Sequence, residues 1–160
     1  SVVTVGTIHG GQRHNIIPAE VTLTGTVRSY NEEVRKTIEE RIRVLLKGIT
    51  AAAGARFEVV RYEGLPATVN HVSLTRESIP ALERVVGKGN VKAIPPTMGA
   101  EDFAYFARVV PGFFYRLGMV KPGATSGDHH TPTFLADDSS IAVGMQAMSY
   151  LLVDYLERHK

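Results

Sequence analysis

Two stretches near the start of the chain alternate apolar and polar residues. Ser1 to Ile8 is rich in β-branched side chains. In the second stretch Val21, Leu23, Gly25 and Val27 fall on one side, and Thr22, Thr24, Thr26 and Arg28 on the other. A period of two marks a strand, so both are expected as strands, with a turn through Gly10-Gly11 and Gln12 to Asn15 between them. The period then changes. Val34, Ile38, Ile42, Leu45 and Ile49 recur at helical spacing. Asn31 stands where a cap is wanted, and Glu32-Glu33 suit the positive end of the helix dipole. Phe57 to Tyr62 alternates again and is expected as a third strand. The order β-β-α-β, with the helix stripe laid on one sheet face, predicts a two-layer α/β (α+β) unit. A preceding β-α piece would complete it as a ferredoxin-like fold.

The connector Gly64-Leu65-Pro66-Ala67-Thr68-Val69-Asn70 sets an expected domain boundary near residue 70, giving units 1–70 and 71–160. Ser73 to Val86 reads as a helix in which Pro80 implies either a start near Ser78 or a kink. Val91 to Ile94 reads as a short strand broken by Pro95-Pro96. A glycine turn, an acidic pair and a short helix follow in Met98 to Phe106, and Pro111-Gly112 turns into an apolar strand. The last helix is expected from Ser139-Ser140, with Ile141, Met145, Met148, Leu152 and Tyr155 on one stripe. Its methionines read as core filler.

Composition narrows the function classes. Hydrophobic content of 44% over 160 residues is that of a globular chain. A formal net charge of +2, with basic residues dispersed, argues against nucleic-acid binding as the main role. No cysteine is present, which excludes a disulfide framework and thiolate metal ligation within the chain. No apolar run approaches the roughly 20 residues of a membrane-spanning helix. The chain opens directly into a strand without a starting Met, so it is expected to be a piece of a longer protein.

The strongest chemical signal is Asp128-His129-His130-Thr131-Pro132-Thr133-Phe134, behind the Gly-rich run Pro122 to Gly127. Imidazole is a common metal ligand and exchanges protons near neutral pH. A metal ligand or general base is one reading, and a pair of exposed loop histidines is the other, because one His pair is not a complete metal site.

Three motifs together shift that balance. Met98-Gly99-Ala100-Glu101-Asp102-Phe103, then Pro111-Gly112-Phe113-Phe114-Tyr115-Arg116-Leu117-Gly118, then His130-Thr131-Pro132-Thr133-Phe134 resemble, in order and spacing, the C-terminal part of the aminoacylase/carboxypeptidase family of di-metal amidohydrolases. The branch is that of hippurate hydrolases and indole-acetyl-amino-acid hydrolases. Val5-Gly6-Thr7-Ile8-His9-Gly10-Gly11, Asn15-Ile16-Ile17-Pro18 and Arg28 extend the likeness toward the N-terminus.

The resemblance implies that residues 1–70 are the later part of a lid, or dimerisation, domain and 71–160 the end of an α/β metallopeptidase catalytic domain. It implies a homodimer, two divalent metals per site (zinc first, manganese second) and hydrolysis of the amide bond of N-acyl or aryl-acyl amino acids or short peptides. His130 matches the C-terminal metal ligand, with His129 beside it on the substrate side. Asn15 matches a lid residue that reaches the partner subunit's active site. Arg28 matches a clamp for a substrate carboxylate. Glu101 is expected to line the cleft and Asp102 to cap its helix. The plain alternatives are a turn-former for Asn15, an exposed strand-end charge for Arg28 and two helix-capping acids for Glu101-Asp102. His9, His14, His71 and His159 match no role. The family's Cys/His-Gly-His-Asp stretch does not occur here, and its catalytic Glu-Glu pair, like that stretch, belongs to the N-terminal half of the family's enzymes, so the 160 residues alone are expected to be inactive. The rival reading is a non-catalytic dimerisation or ligand-binding module. The expected compartment is the cytoplasm, with the periplasm open because a signal would lie upstream.

Overall fold

A computed structural model describes all residues from Ser1 to Lys160. The chain divides into two compact units, one of Ser1–Ala67 with Pro96–Asp102, the other of Thr68–Pro95 with Phe103–Lys160.

In the first unit the two alternating stretches form β1 (Val2–Gly10) and β2 (Val21–Arg28). They pair antiparallel, from Val2 opposite Arg28 to Gly10 opposite Val21, with a bulge between Val5 and Thr7. The strands approach closely at Gly25, where a Cβ would lie 2.2 Å from the Thr4 carbonyl oxygen. Helix α1 (Glu32–Ala52) follows. Asn31 caps it, its Oδ1 accepting from the backbone N–H of Glu33 (2.8 Å) and Val34 (3.2 Å). Ile38 and Ile42 are half-buried, whereas Val34, Leu45 and Ile49 at the two ends of the stripe are exposed.

The mixed α/β class is as expected, but the third strand of the β-β-α-β order does not form. The sheet has two strands only. Residues 57–62 join no ladder: their backbone groups bond to neither open edge of the sheet, and a strand exists only through such bonds. A side-chain tether holds the segment instead, Arg61 pairing with Glu39 of α1 at 3.5 Å. Residues 91–94 and 113–117 likewise form no strand.

The second unit is built on α2 (Val72–Val86), α3 (Phe103–Val109) and α4 (Ser139–Arg158). Helix α2 continues through Pro80, with Thr75 Oγ1 bonding His71 O (2.8 Å) and Ser78 Oγ bonding Leu74 O (2.7 Å). Pro80 and Arg76, whose carbonyl loses its helix donor, are both exposed, so water can satisfy that carbonyl. α2 packs on α4, and the buried side chains there are small or slender: Ser78, Ala81 and Leu82 on α2, Ala147 on α4. Arg84 pairs with Asp154, and Arg158 donates to Glu77 O at 2.8 Å. Met145 and Met148 are 68% and 61% exposed, so they do not fill the core as the pattern suggested. The contact runs through Ala147 on another face of the helix.

Candidate active-site loop

Asn70 and His71 fix the path that leads to the histidine loop. The Asn70 side-chain amide makes two bonds to the main chain of Phe114. It accepts from the Phe114 N–H and donates to the Phe114 carbonyl, both at 2.8 Å. The His71 N–H bonds Gly112 O at 2.8 Å, and its Nδ1 accepts from Leu74 N at the start of α2. Gly112 presses against α3, where a Cβ would sit 3.0 Å from that of Ala107. Phe103 packs on Phe114, with ring centroids 5.7 Å apart. Burial raises the Tyr115 hydroxyl above its ordinary range.

Beyond Leu117 the chain meets its own return. Asp137 N–H bonds Met119 O (2.8 Å), and the Asp137 carboxylate pairs with Lys121 (3.3 Å). The same carboxylate accepts from Ser139 Oγ (2.7 Å) and Ser139 N (3.1 Å), joining the base of the loop to the first residue of α4. The Ser139 hydroxyl and N–H hold the Asp137 carboxyl below its ordinary range, and Lys121 adds to this. One step further in, Ser126 Oγ accepts from Leu135 N (2.8 Å), and Gly127 N bonds Thr133 O (2.9 Å).

At the tip, Thr131 N bonds Asp128 O (3.2 Å), closing a four-residue turn with His129 and His130 at its centre. His130 has φ of 67° and is the one non-glycine residue in the left-handed region. That third turn position is normally glycine or asparagine. Non-glycine residues are uncommon in that region, and such positions cluster at functional sites. The His129 ring meets Phe134 edge-on, centroids 5.1 Å apart, and stands perpendicular to the His130 ring at 6.5 Å. Both histidines are exposed.

The other expected site residues lie in the first unit. Arg28, at the end of β2, donates from Nη1 to Met98 O, which brings it to the Met98–Asp102 stretch. Glu101 in that stretch is half-buried. Asn15 is exposed in the β1–β2 turn, beside an Ile16 N–Arg13 O bond of 3.2 Å. His71 caps α2, and His159 stacks on Tyr155, 3.7 Å from Glu77. Asn70, Gly127, Thr131 and Asp137 shape the loop and were not singled out by sequence. Asp137, two residues before the expected helix start, was the most visible of them.

A divalent metal needs about three protein ligands. No group of three or more His, Asp or Glu side chains in this chain could hold one. The imidazole of His130 has the right donor chemistry for one ligand position, and these residues by themselves do not form a metal site.

The family model described as peptidase family M20/M25/M40 matches residues 3–154. An uncharacterized hydrolase of Sinorhizobium fredii is 34% identical over 94% of the chain and 37% of its own length. N-acetyl-L-cysteine deacetylase of Bacillus subtilis is 33% identical over 99% of the chain and 36% of its own length. Among solved structures, the Bacillus subtilis YXEP protein, described as a dinuclear metal-binding peptidase from the M20 family, superposes with a TM-score of 0.77. It is 28% identical, and the match covers 98% of this chain and 42% of that one. The chain thus spans well under half the length of these relatives. The family match takes in both units and the whole histidine loop, and this chain belongs to the peptidase M20/M25/M40 family.

Proposed function

We propose that this chain is part of a metal-dependent amidohydrolase acting on N-acyl or aryl-acyl amino acids or short peptides. The observation that carries the reading is His130, an exposed imidazole in a left-handed turn, within a family match that spans the loop. The reaction adds water across the amide. The C–N bond breaks, the acyl carbon gains the hydroxyl oxygen, and the leaving nitrogen takes a proton. Two divalent cations, zinc or manganese, would lower the pKa of the attacking water and polarise the carbonyl when bound. The relative described as a dinuclear metal-binding peptidase supports them. The remaining ligands and the general base lie outside these 160 residues.

The chain's own residues take four roles. His130 holds one metal. Arg28 binds the carboxylate of the amino-acid portion, since a guanidinium has five N–H donors and the bond to Met98 uses one edge. Glu101 and His129 line the substrate side. Asn15 reaches the partner subunit's site in a homodimer and donates to the oxyanion as it forms. No helix is long and apolar enough to cross a membrane.

The test uses the full-length protein, stripped with a chelator and restored with zinc or manganese, against a panel of N-acyl amino acids. Metal-dependent release of the free amino acid is expected, and His130→Ala should lower metal content and nearly abolish turnover. Hydrolysis that survives chelation, or full metal content in the His130 variant, would overturn the reading. The purified 160 residues should be inactive with either metal.

A further inference from the structure

The turn that carries His130 is closed by contacts packed against the bare Cα of Gly127. A Cβ on Gly127 would lie 2.2 Å from Thr133 Oγ1, 2.5 Å from Thr131 Oγ1 and 3.0 Å from the Thr133 carbonyl carbon. The two hydroxyls are 3.3 Å apart. The Thr131 hydroxyl is tethered, and so is the Thr133 main chain. Thr131 Oγ1 donates to Asp128 O at 2.7 Å, and the Thr133 carbonyl accepts the Gly127 N–H. Its β-branched side chain also leaves Thr131 few rotamers. A methyl group at 127 would therefore push the Thr131 hydroxyl off Asp128 or part Gly127 from Thr133.

We propose that Gly127 and Thr131 are positioning residues for His130. Gly127 leaves the space the threonine hydroxyls occupy. Thr131 clamps the turn onto Asp128 O, and the clamp holds His130 in the left-handed region. This fixes the direction in which the imidazole leaves the backbone. The inference rests on His130 being a metal ligand. Groups that orient a ligand typically change metal affinity by about 10- to 100-fold when replaced. The loop is exposed, so its rearrangement should cost the fold little by comparison.

The experiment measures the zinc dissociation constant of the full-length protein by competition with a chelator, alongside Tm of the metal-free protein. Gly127→Ala and Thr131→Val should each weaken zinc binding by about 10- to 100-fold. Thr131→Ser, which keeps the hydroxyl, should restore most of the affinity. Metal-free Tm should stay close to the wild-type value for Thr131→Val and Thr131→Ser. That pair carries the test even where Gly127→Ala fails to fold. Wild-type zinc affinity in Thr131→Val, with His130→Ala weakened, would overturn the positioning role and leave the ligand standing. Equal loss in Thr131→Val and Thr131→Ser would also overturn it, because the hydroxyl would then not be the clamp. Wild-type affinity in His130→Ala would remove the ligand and this inference together.

Discussion

Replacing Asn70 should loosen one identifiable segment. Its amide satisfies both the N–H and the carbonyl of Phe114, each at 2.8 Å and part-buried. Asn70→Ala leaves both groups without a protein partner. An unsatisfied buried group costs about 1–3 kcal/mol. Phe114 is only half-buried and water can reach it in part, so the low end applies, about 1 kcal/mol per group and about 2 kcal/mol in all. At about 150–250 residues that energy corresponds to a fall in Tm of about 4–8 °C, and in a longer protein to a smaller one. Calorimetry supplies the magnitude, and amide hydrogen exchange supplies the location. Exchange should quicken at Phe114 and its neighbours and stay unchanged across β1 and β2. Asn70→Asp sharpens the test. An ionised carboxylate still accepts from the Phe114 N–H, but it sets a second oxygen against the Phe114 carbonyl. This variant should be weakened most near neutrality and recover in acid, where the protonated oxygen can donate. Unchanged Tm in the alanine variant, together with intact protection at Phe114, would refute the account.

Asp137 gives a pH signature. Its folded carboxyl is held low by Ser139 and then Lys121, so it adds stability above its unfolded value, and that stability fades as pH falls through the folded value. The Tm gap between the wild type and Asp137→Asn should therefore be widest near neutrality and close in strong acid. A gap independent of pH would count against it. Ala147 is 2% exposed, and Ala147→Leu should overpack its site at a cost of about 1–3 kcal/mol, read as a lower denaturation midpoint. Asn15→Ala should lower kcat without lowering metal content, and mixing it with His130→Ala should restore activity toward half per mixed dimer. Subunit exchange with no recovery would mean that Asn15 does not act across the interface.

Periodicity made the helices and the paired strands legible. The two-residue alternation of Val2–Gly10 and Val21–Arg28 and the helical stripes of α1 and α4 carry their own signal, because each pattern repeats within the element. Residues 57–62, 91–94 and 113–117 have strand-like composition, but strands need partners, and composition does not reveal whether one is present. Pro80 looked like an interruption because its cost depends on which side of α2 it occupies, which a linear pattern hides. The apolar stripe of α4 was visible, but not that the buried contact would run through Ala147 on another face. The motif around His130 singled out its loop. The roles of Gly127, Thr131 and Asn70 were not legible, since they depend on contacts with main-chain groups up to 44 residues away.

With His130 as the proposed metal ligand, its left-handed backbone makes this a position where mutational tolerance and chemistry should part company. A side chain in that region costs about 1–2 kcal/mol that glycine does not incur. Selection for folding alone would therefore drift toward glycine or asparagine at 130. In a deep mutational scan scored for abundance, His130→Gly should rank among the tolerated or even favourable changes. Scored for turnover, the same change should rank among the worst. A disagreement that sharp at one codon, with ordinary agreement at Ala81 and Ala147, would separate residues kept for what they hold together from a residue kept for what it does.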